Sequence, residues 1–439
     1  MDKQQAVVEA SRCIQCGRCY DVCPIHVHMP QTITAIIDDD IEEAVRQIYK
    51  TNPFAHVCGR VCTRPCESAC SKELKGKPVA LRSLERYAID AADHKLVRQI
   101  VAEGTPGFVT GKRIAIIGSG PAGLTTAYDL RKKGHGVVVY EAQKKPGGMM
   151  RYGIPERRLS SERLDDNIDT ILSLGVDLRL KVKIGKHITM NKLRKNYDAV
   201  LIATGLHEAC IMRMPGSDHK RMVSAIKLLR KIKKGKKIKV PQKVVIIGCG
   251  ILAMDSARSL ARLQEEAYGR VNITLTSLKP REHMLADESE ILETEKEGVS
   301  IITGRGPRQC IINNGELRGL ETARCIAVVD QFGRFNPKYD ESDLAVHEAD
   351  LVVEAISQAA DVGYLGDDLL ASLDWESKYL MVDDSGRTNE QWLWAAGDMV
   401  KEPDIVHAIA GGHRAAESIH DTLMGNIRKS ASAVAAVAD

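Results

Sequence analysis

Read for its apolar positions, the chain changes texture twice. Ile33, Ile36, Ile37, Ile41, Ala44, Val45 and Ile48 recur at helical spacing, and residues 1–100 read as helical pieces. Glu103–Gly111 is then a linker with turn chemistry. From Lys112 the pattern switches to short continuous apolar runs that end in glycine. Arg113–Ile117 and Lys243–Ile247 are two such runs. Each predicts a strand that opens a strand–glycine–helix unit, so two dinucleotide folds of similar start are expected. Residues 429–439, rich in alanine and serine, read as a frayed tail.

The cysteines give the helical head its chemistry. Eight of the twelve lie within the first 70 residues, in two blocks. Cys13-x2-Cys16-x2-Cys19-x3-Cys23-Pro24 is a ferredoxin run, in which three close thiolates hold an iron–sulfur cube and the fourth reaches to a second cluster. The second block, Cys58-x3-Cys62-x3-Cys66-x3-Cys70, supplies thiolates to complete both. Structural zinc prefers two well-separated pairs, so clusters are the better reading. His26 and His28, beside Cys23, read as solvated. Cys210, Cys249, Cys310 and Cys325 are scattered and read as packed thiols.

The first glycine loop is Gly118-Ser-Gly120-Pro121-Ala122-Gly123, directly after an apolar strand. Such a loop seats a pyrophosphate on a helix N-terminus, where free N–H groups and the dipole favour negative charge. The next strand ends in Glu141, an acid placed to accept from ribose hydroxyls. The second loop, Gly248-Cys-Gly250-Ile-Leu-Ala253, is followed by Ser277-Leu278-Lys279-Pro-Arg281 in place of an acid. Lys279 and Arg281 suit a 2′-phosphate, and these residues leave the choice between NAD and NADP open. A nicotinamide moves electrons in pairs and an iron–sulfur cluster one at a time; a flavin converts between them. No catalytic side-chain set is required, and none is evident.

Length and charge narrow the picture. At 439 residues roughly three domains are expected. The net charge of +4 comes from one stretch, Lys220–Lys243, which carries eleven Lys and Arg and no acid. That stretch reads as a solvated connector, with docking of an acidic partner the other reading; it has no aromatic residues to stack on bases, so nucleic acid is not expected. No apolar run approaches the ~20 residues of a membrane span. Met1-Asp-Lys-Gln-Gln shows no signal-peptide pattern, and with the crowded cysteines this points to a cytoplasmic protein.

Further motifs carry a resemblance. They are Thr51-Asn-Pro-Phe54, Cys58-Gly-Arg-Val-Cys62, Pro65-Cys-Glu-Ser-Ala-Cys70, Leu84-Glu-Arg-Tyr87, Gly147-Gly148-Met-Met-Arg151-Tyr-Gly-Ile-Pro155, Ala203-Thr204-Gly205, Ala253-Met-Asp-Ser-Ala-Arg258 and Ala396-Gly397-Asp398. In these the chain resembles the glutamate synthase small-subunit-like flavoproteins. That family includes transhydrogenase and sulfide dehydrogenase flavin subunits and the N-terminal half of dihydropyrimidine dehydrogenase. The resemblance implies a helical di-cluster iron–sulfur domain at 1–105 and two Rossmann-like α/β domains, the second inserted in the first. FAD would bind residues 111–217 and 355–428, with Asp398 by its phosphoribityl chain, and NAD(P)(H) would bind residues 218–354. It further implies one 4Fe–4S cluster on Cys13, Cys16, Cys19 and Cys70, and another on Cys23, Cys62 and Cys66 with Glu85. Cys58 is the alternative fourth ligand by spacing. His407 is expected either near the flavin or in a structural role.

Three departures qualify the resemblance. The two-residue gap between Cys16 and Cys19 is shorter than glutamate synthase subunits carry. Leu278-Lys279 stands where the family has an arginine pair for NADPH, which favours NAD(H). Ser357 replaces a glycine near the flavin. The function implied is an electron-transfer subunit that exchanges hydride between NAD(P)(H) and FAD. It would pass single electrons through two clusters to or from a partner catalytic subunit with its own redox centre. The alternatives are the glutamate synthase small subunit proper, or a redox-silent assembly subunit.

Overall fold

The computed structural model describes residues 1–107, 109–402 and 404–425, and the tail expected at 429–439 lies outside the described residues. The chain divides into two compact units. One comprises Met1–Gly147, Glu162–Gly205 and the described residues from Val362 onward; the other comprises Gly148–Ser161 and Leu206–Asp361.

The first unit opens with short helices. Lys3–Ala10 starts at a capping box, in which the Asp2 side chain accepts from Gln5 N–H and the Gln5 side chain accepts from Asp2 N–H. The apolar run between the cysteine blocks forms two helices, Met29–Ile37 and Ile41–Tyr49, because Asp39 turns left-handed (φ 61°) and Asp40 caps the second. Ile33, Ile36, Val45 and Ile48 face inward, joined by Phe54, which precedes helix Ala55–Val61, and by Leu84 and Ile89 from helix Leu81–Ala91.

Behind this head stands a five-stranded parallel sheet. Its spatial order is Leu393–Ala395, Ala199–Ile202, Arg113–Ile117, Gly136–Glu141, Asp177–Leu180. The central strands are buried on both faces, as their continuous apolar runs require. Helices Pro121–Lys132 and Ile405–Met424 pack together, and Thr126 donates to the Gly412 carbonyl at 3.0 Å.

The second unit repeats the arrangement. Its parallel sheet runs Met222–Ser224, Leu351–Glu354, Val244–Ile247, Ile273–Thr276, Ser300–Ile302, all contributed by sequence lying between strands Ala199–Ile202 and Leu393–Ala395 of the first sheet. An antiparallel three-stranded sheet, Arg305–Asn313, Glu316–Val329 and Phe335–Glu348, lies in the same unit. The strand order reverses beside Arg113–Ile117 in the first sheet and beside Val244–Ile247 in the second. That leaves a crevice at the strand ends where nucleotides bind in such folds.

Candidate functional site

The first cysteine block is folded by tight local turns. Gln15 and Gly17 are left-handed (φ 55° and 79°), and Cys19 follows in the short helix Arg18–Asp21. Cys13, Cys16, Cys19 and Cys70 all line one pocket, together with Ile14, Pro30, Val79 and Leu81. Burial pushes the Cys19 thiol up to about 11, with Cys13 and Cys16 adding to it. Cys16 is exposed and shifts the other way, because the Ser71 hydroxyl donates to its sulfur at 3.3 Å. Among the described residues no three His, Cys, Asp or Glu converge on a single-ion site. Four thiols around such a pocket match the donor set of an iron–sulfur cube, so the residues fit that group.

Cys23, Cys62 and Cys66 gather elsewhere, around Glu85. Cys62 ends helix Ala55–Val61, Cys66 lies in helix Pro65–Ser68, and Glu85 sits on helix Leu81–Ala91. Burial raises Cys62 to about 12 and also lifts Cys23 and Cys66, with the Glu85 charge contributing in each case. Glu85 is 7% exposed, and burial pushes its carboxyl up to about 7. Asn52 opposes that shift by donating to Glu85 Oε1 at 2.7 Å, while its own Oδ1 accepts from Phe54 N–H. Cys58 is buried in helix Ala55–Val61 beside the same group, so both candidate fourth ligands are within its reach.

Gly118, in the first nucleotide loop, is a position no other residue can fill. Its φ is 107°, and a methyl there would stand 2.4 Å from the Ala203 carbonyl oxygen. A methyl on Gly123 would meet the Gly118 carbonyl at 2.2 Å, whereas nothing lies within 4 Å of the Gly120 position. That open space before helix Pro121–Lys132 is a cradle of the kind a pyrophosphate enters. Glu141 ends its strand as expected, and its carboxylate accepts from Ser119 N–H at 3.1 Å and Gln143 N–H at 2.7 Å. Gly205 is left-handed, and its Cβ position lies 3.8 Å from Asp398 Oδ2. Thr204 donates to Met399 Sδ at 2.9 Å. Burial pushes the Asp398 carboxyl up to about 6, with Asp404 adding to the effect. His407 is half-exposed and bound to Asp404 at 2.8 Å, so its imidazole serves the start of helix Ile405–Met424.

Gly148 and Arg151 belong to the second unit, where Arg151 is buried. The second nucleotide loop repeats the logic of the first: a methyl on Gly248 would meet the Ala355 carbonyl at 2.3 Å, and Gly250 precedes helix Ile251–Tyr268. Ala253 is fully buried. Ser277 stands buried at the end of the second strand, with its hydroxyl turned to the Lys279 carbonyl at 2.6 Å. Arg281 is held by Glu295 (2.6 Å) and Glu288 (2.9 Å). In the basic stretch, Lys233 pairs with Glu156 at 2.6 Å, and helix Ala225–Lys233 buries Ile226, Leu228 and Leu229.

Comparison with known proteins follows this division. Residues 1–97 match the family described as dihydropyrimidine dehydrogenase domain II, 4Fe-4S cluster. Residues 112–415 match the pyridine nucleotide-disulphide oxidoreductase family. The chain belongs to that oxidoreductase family. An iron–sulfur cluster, FAD and a nicotinamide nucleotide are thus the cofactors of its two domains. Among relatives, the chain is 33% identical over 432 residues to the NADP(+)-dependent formate dehydrogenase subunit beta of Moorella thermoacetica, covering 92% of this chain and 60% of that one. It is 30% identical over 446 residues to the glutamate synthase [NADPH] small chain of Azospirillum brasilense, covering 95% and 89%. The resemblance carried by the motifs is therefore borne out. Against the formate dehydrogenase subunit, the chain spans less than two thirds of the relative's length. Mycobacterium tuberculosis FprA in complex with NADPH shares the family fold, with a TM-score of 0.61 at 17% identity over 72% of this chain and 85% of that one. No helix among the described residues is long and apolar enough to cross a membrane.

Three side chains at these sites escaped the sequence reading: Asn52, Asp404 and Glu402. Asn52 lay in plain view in Thr51-Asn-Pro-Phe54, and Asp404 three residues before His407, at capping distance. Glu402 left a fainter trace, an adjacent glycine pair, Gly411-Gly412, inside a helix.

Proposed function

We propose that this chain is the flavin and iron–sulfur subunit of a larger cytoplasmic oxidoreductase, linking NAD(P)(H) to the redox centre of a partner catalytic subunit. The observation that carries the reading is the sorting of seven cysteines and Glu85 into two donor groups, in a chain that also builds two glycine-loop folds. FAD, when bound, supplies the conversion between paired and single electrons.

The chain's own residues bind and orient. Cys13, Cys16, Cys19 and Cys70 would hold one 4Fe–4S cluster, and Cys23, Cys62, Cys66 and Glu85 the other. Asn52 steers the Glu85 carboxylate and favours its ionised, ligating form. Gly118, Gly120, Pro121, Ala122 and Gly123 would cradle the FAD pyrophosphate, and Glu141 would accept from its ribose. Ala203, Thr204, Gly205, Gly397 and Asp398 complete the proposed FAD set, with His407 in support through the Asp404 cap. Gly248, Gly250 and Ala253 would seat the nicotinamide nucleotide. Arg281 is engaged by two glutamates, which leaves Lys279 as the cation for a 2′-phosphate and favours NAD(H).

Anaerobic protein reconstituted with iron, sulfide and FAD is expected to hold roughly eight iron atoms per chain. NADH should then bleach its flavin absorbance faster than NADPH does. Silence with both nucleotides would overturn the proposal, and co-purification from the native host would identify the partner.

A further inference from the structure

Glu402 has no part in the roles above, yet it is built into the turn that carries Asp398. Its side chain is 9% exposed, and its carboxylate accepts from the Gly397 N–H and from the Arg414 guanidinium. The space it occupies exists only because residue 411 is glycine. A methyl at Gly411 would stand 2.0 Å from one carboxylate oxygen and 2.1 Å from the other. The neighbouring Gly412 serves a separate approach: a methyl there would meet the Ala122 carbonyl at 2.7 Å. Two adjacent glycines inside a helix oppose its intrinsic stability. One admits the helix that follows the first nucleotide loop, and the other admits Glu402.

The turn held by Glu402 is itself tightly placed. Gly397 adopts φ 82°, and its Cβ position lies 3.2 Å from the Ala122 Cβ, at the start of helix Pro121–Lys132. A carboxylate bound to both the Gly397 N–H and Arg414 therefore ties the turn to helix Ile405–Met424. We propose that Glu402 is a positioning residue for FAD, holding the Gly397–Asp398 turn against the first nucleotide loop by accepting the Gly397 N–H. The inference rests on the placement of FAD at this turn in the function proposed above. Without Glu402 the Gly397 N–H is left buried and unpaired, a cost that falls on the geometry of Asp398.

The test is FAD affinity of the full, cluster-loaded chain after FAD is stripped, together with the visible circular dichroism of the rebound flavin. Glu402→Ala should weaken FAD binding about tenfold and alter the dichroism. Glu402→Gln, which still offers an acceptor to Gly397, should stay within about twofold of the parent. Gly411→Ala, which removes the room but not the carboxylate, should reproduce the loss. The inference falls if Glu402→Ala binds FAD as the parent does while Asp398→Ala weakens it. It also falls if Glu402→Gln is as damaged as Glu402→Ala. If neither Asp398→Ala nor Glu402→Ala affects FAD, the underlying placement of FAD at the turn falls with it.

Discussion

Glu85 and Cys58 both stand beside Cys62, and burial raises both while Asn52 works against the rise in each. A buried carboxyl resists ionisation, yet Asn52 already donates to Glu85 and Arg82 favours its charge. Cys58 is buried deeper, its thiol raised well above the ordinary range by desolvation. The family resemblance favours Glu85 over Cys58 as the fourth donor. Replacing Glu85 by Ala is expected to lower the iron content of the reconstituted protein by about half, whereas Cys58→Ala leaves it near the parent value. Iron analysis with the opposite pattern would make Cys58 the ligand. The sequence offered both residues and a family preference. It held no sign of Asn52's hydrogen bond, because that contact joins positions 33 apart.

Among the elements, helix Ile405–Met424 makes the most connections. Asp404 caps it and also accepts from Thr63, next to Cys62, at 3.3 Å. Further along, His413 bonds Asp129 through Nδ1 at 2.5 Å and donates from Nε2 to the Thr51 carbonyl at 2.8 Å. The helix thereby ties the cysteine-bearing head to the first nucleotide fold. Burial disfavours the charged imidazolium, but Asp129 and the Thr51 carbonyl outweigh it, and the His413 pKa is raised. A raised native pKa means that the native state binds the proton more tightly than the unfolded chain. The stability contributed is therefore complete below the unfolded value of about 6.5 and is lost as pH rises through the native one. Thermal unfolding of the parent should decline over that window relative to His413→Gln, which has no such proton to lose. Parallel curves for the two proteins would contradict this. The pattern of apolar residues predicts such a helix, but not that one imidazole on it reaches two other segments.

For the whole molecule, the arrangement of cores bears on what the clusters stabilise. Residues 1–102 form helices within the same compact unit as the first parallel sheet, and each parallel sheet has a core of its own. Eight thiols in so small a helical head make its order depend on metal more than a large core would. Chelating the iron under anaerobic conditions is expected to speed hydrogen exchange in residues 1–97 while FAD stays bound; loss of FAD in step with iron would join the two instead. The sequence alone determined the kinds of site this protein has. Cysteine spacing, the glycine loops and the acid at the end of a strand are patterns of residue type at short spacing, so they are legible before folding. Only the tertiary structure decided the partnerships: Asn52 donating to Glu85, Arg281 drawn onto Glu288 and Glu295, and Glu402 placed over Gly411. Each of these depends on which distant segments the packing of helices and sheets brings together, and burial then fixes the charge and hydrogen bonding of the groups that meet.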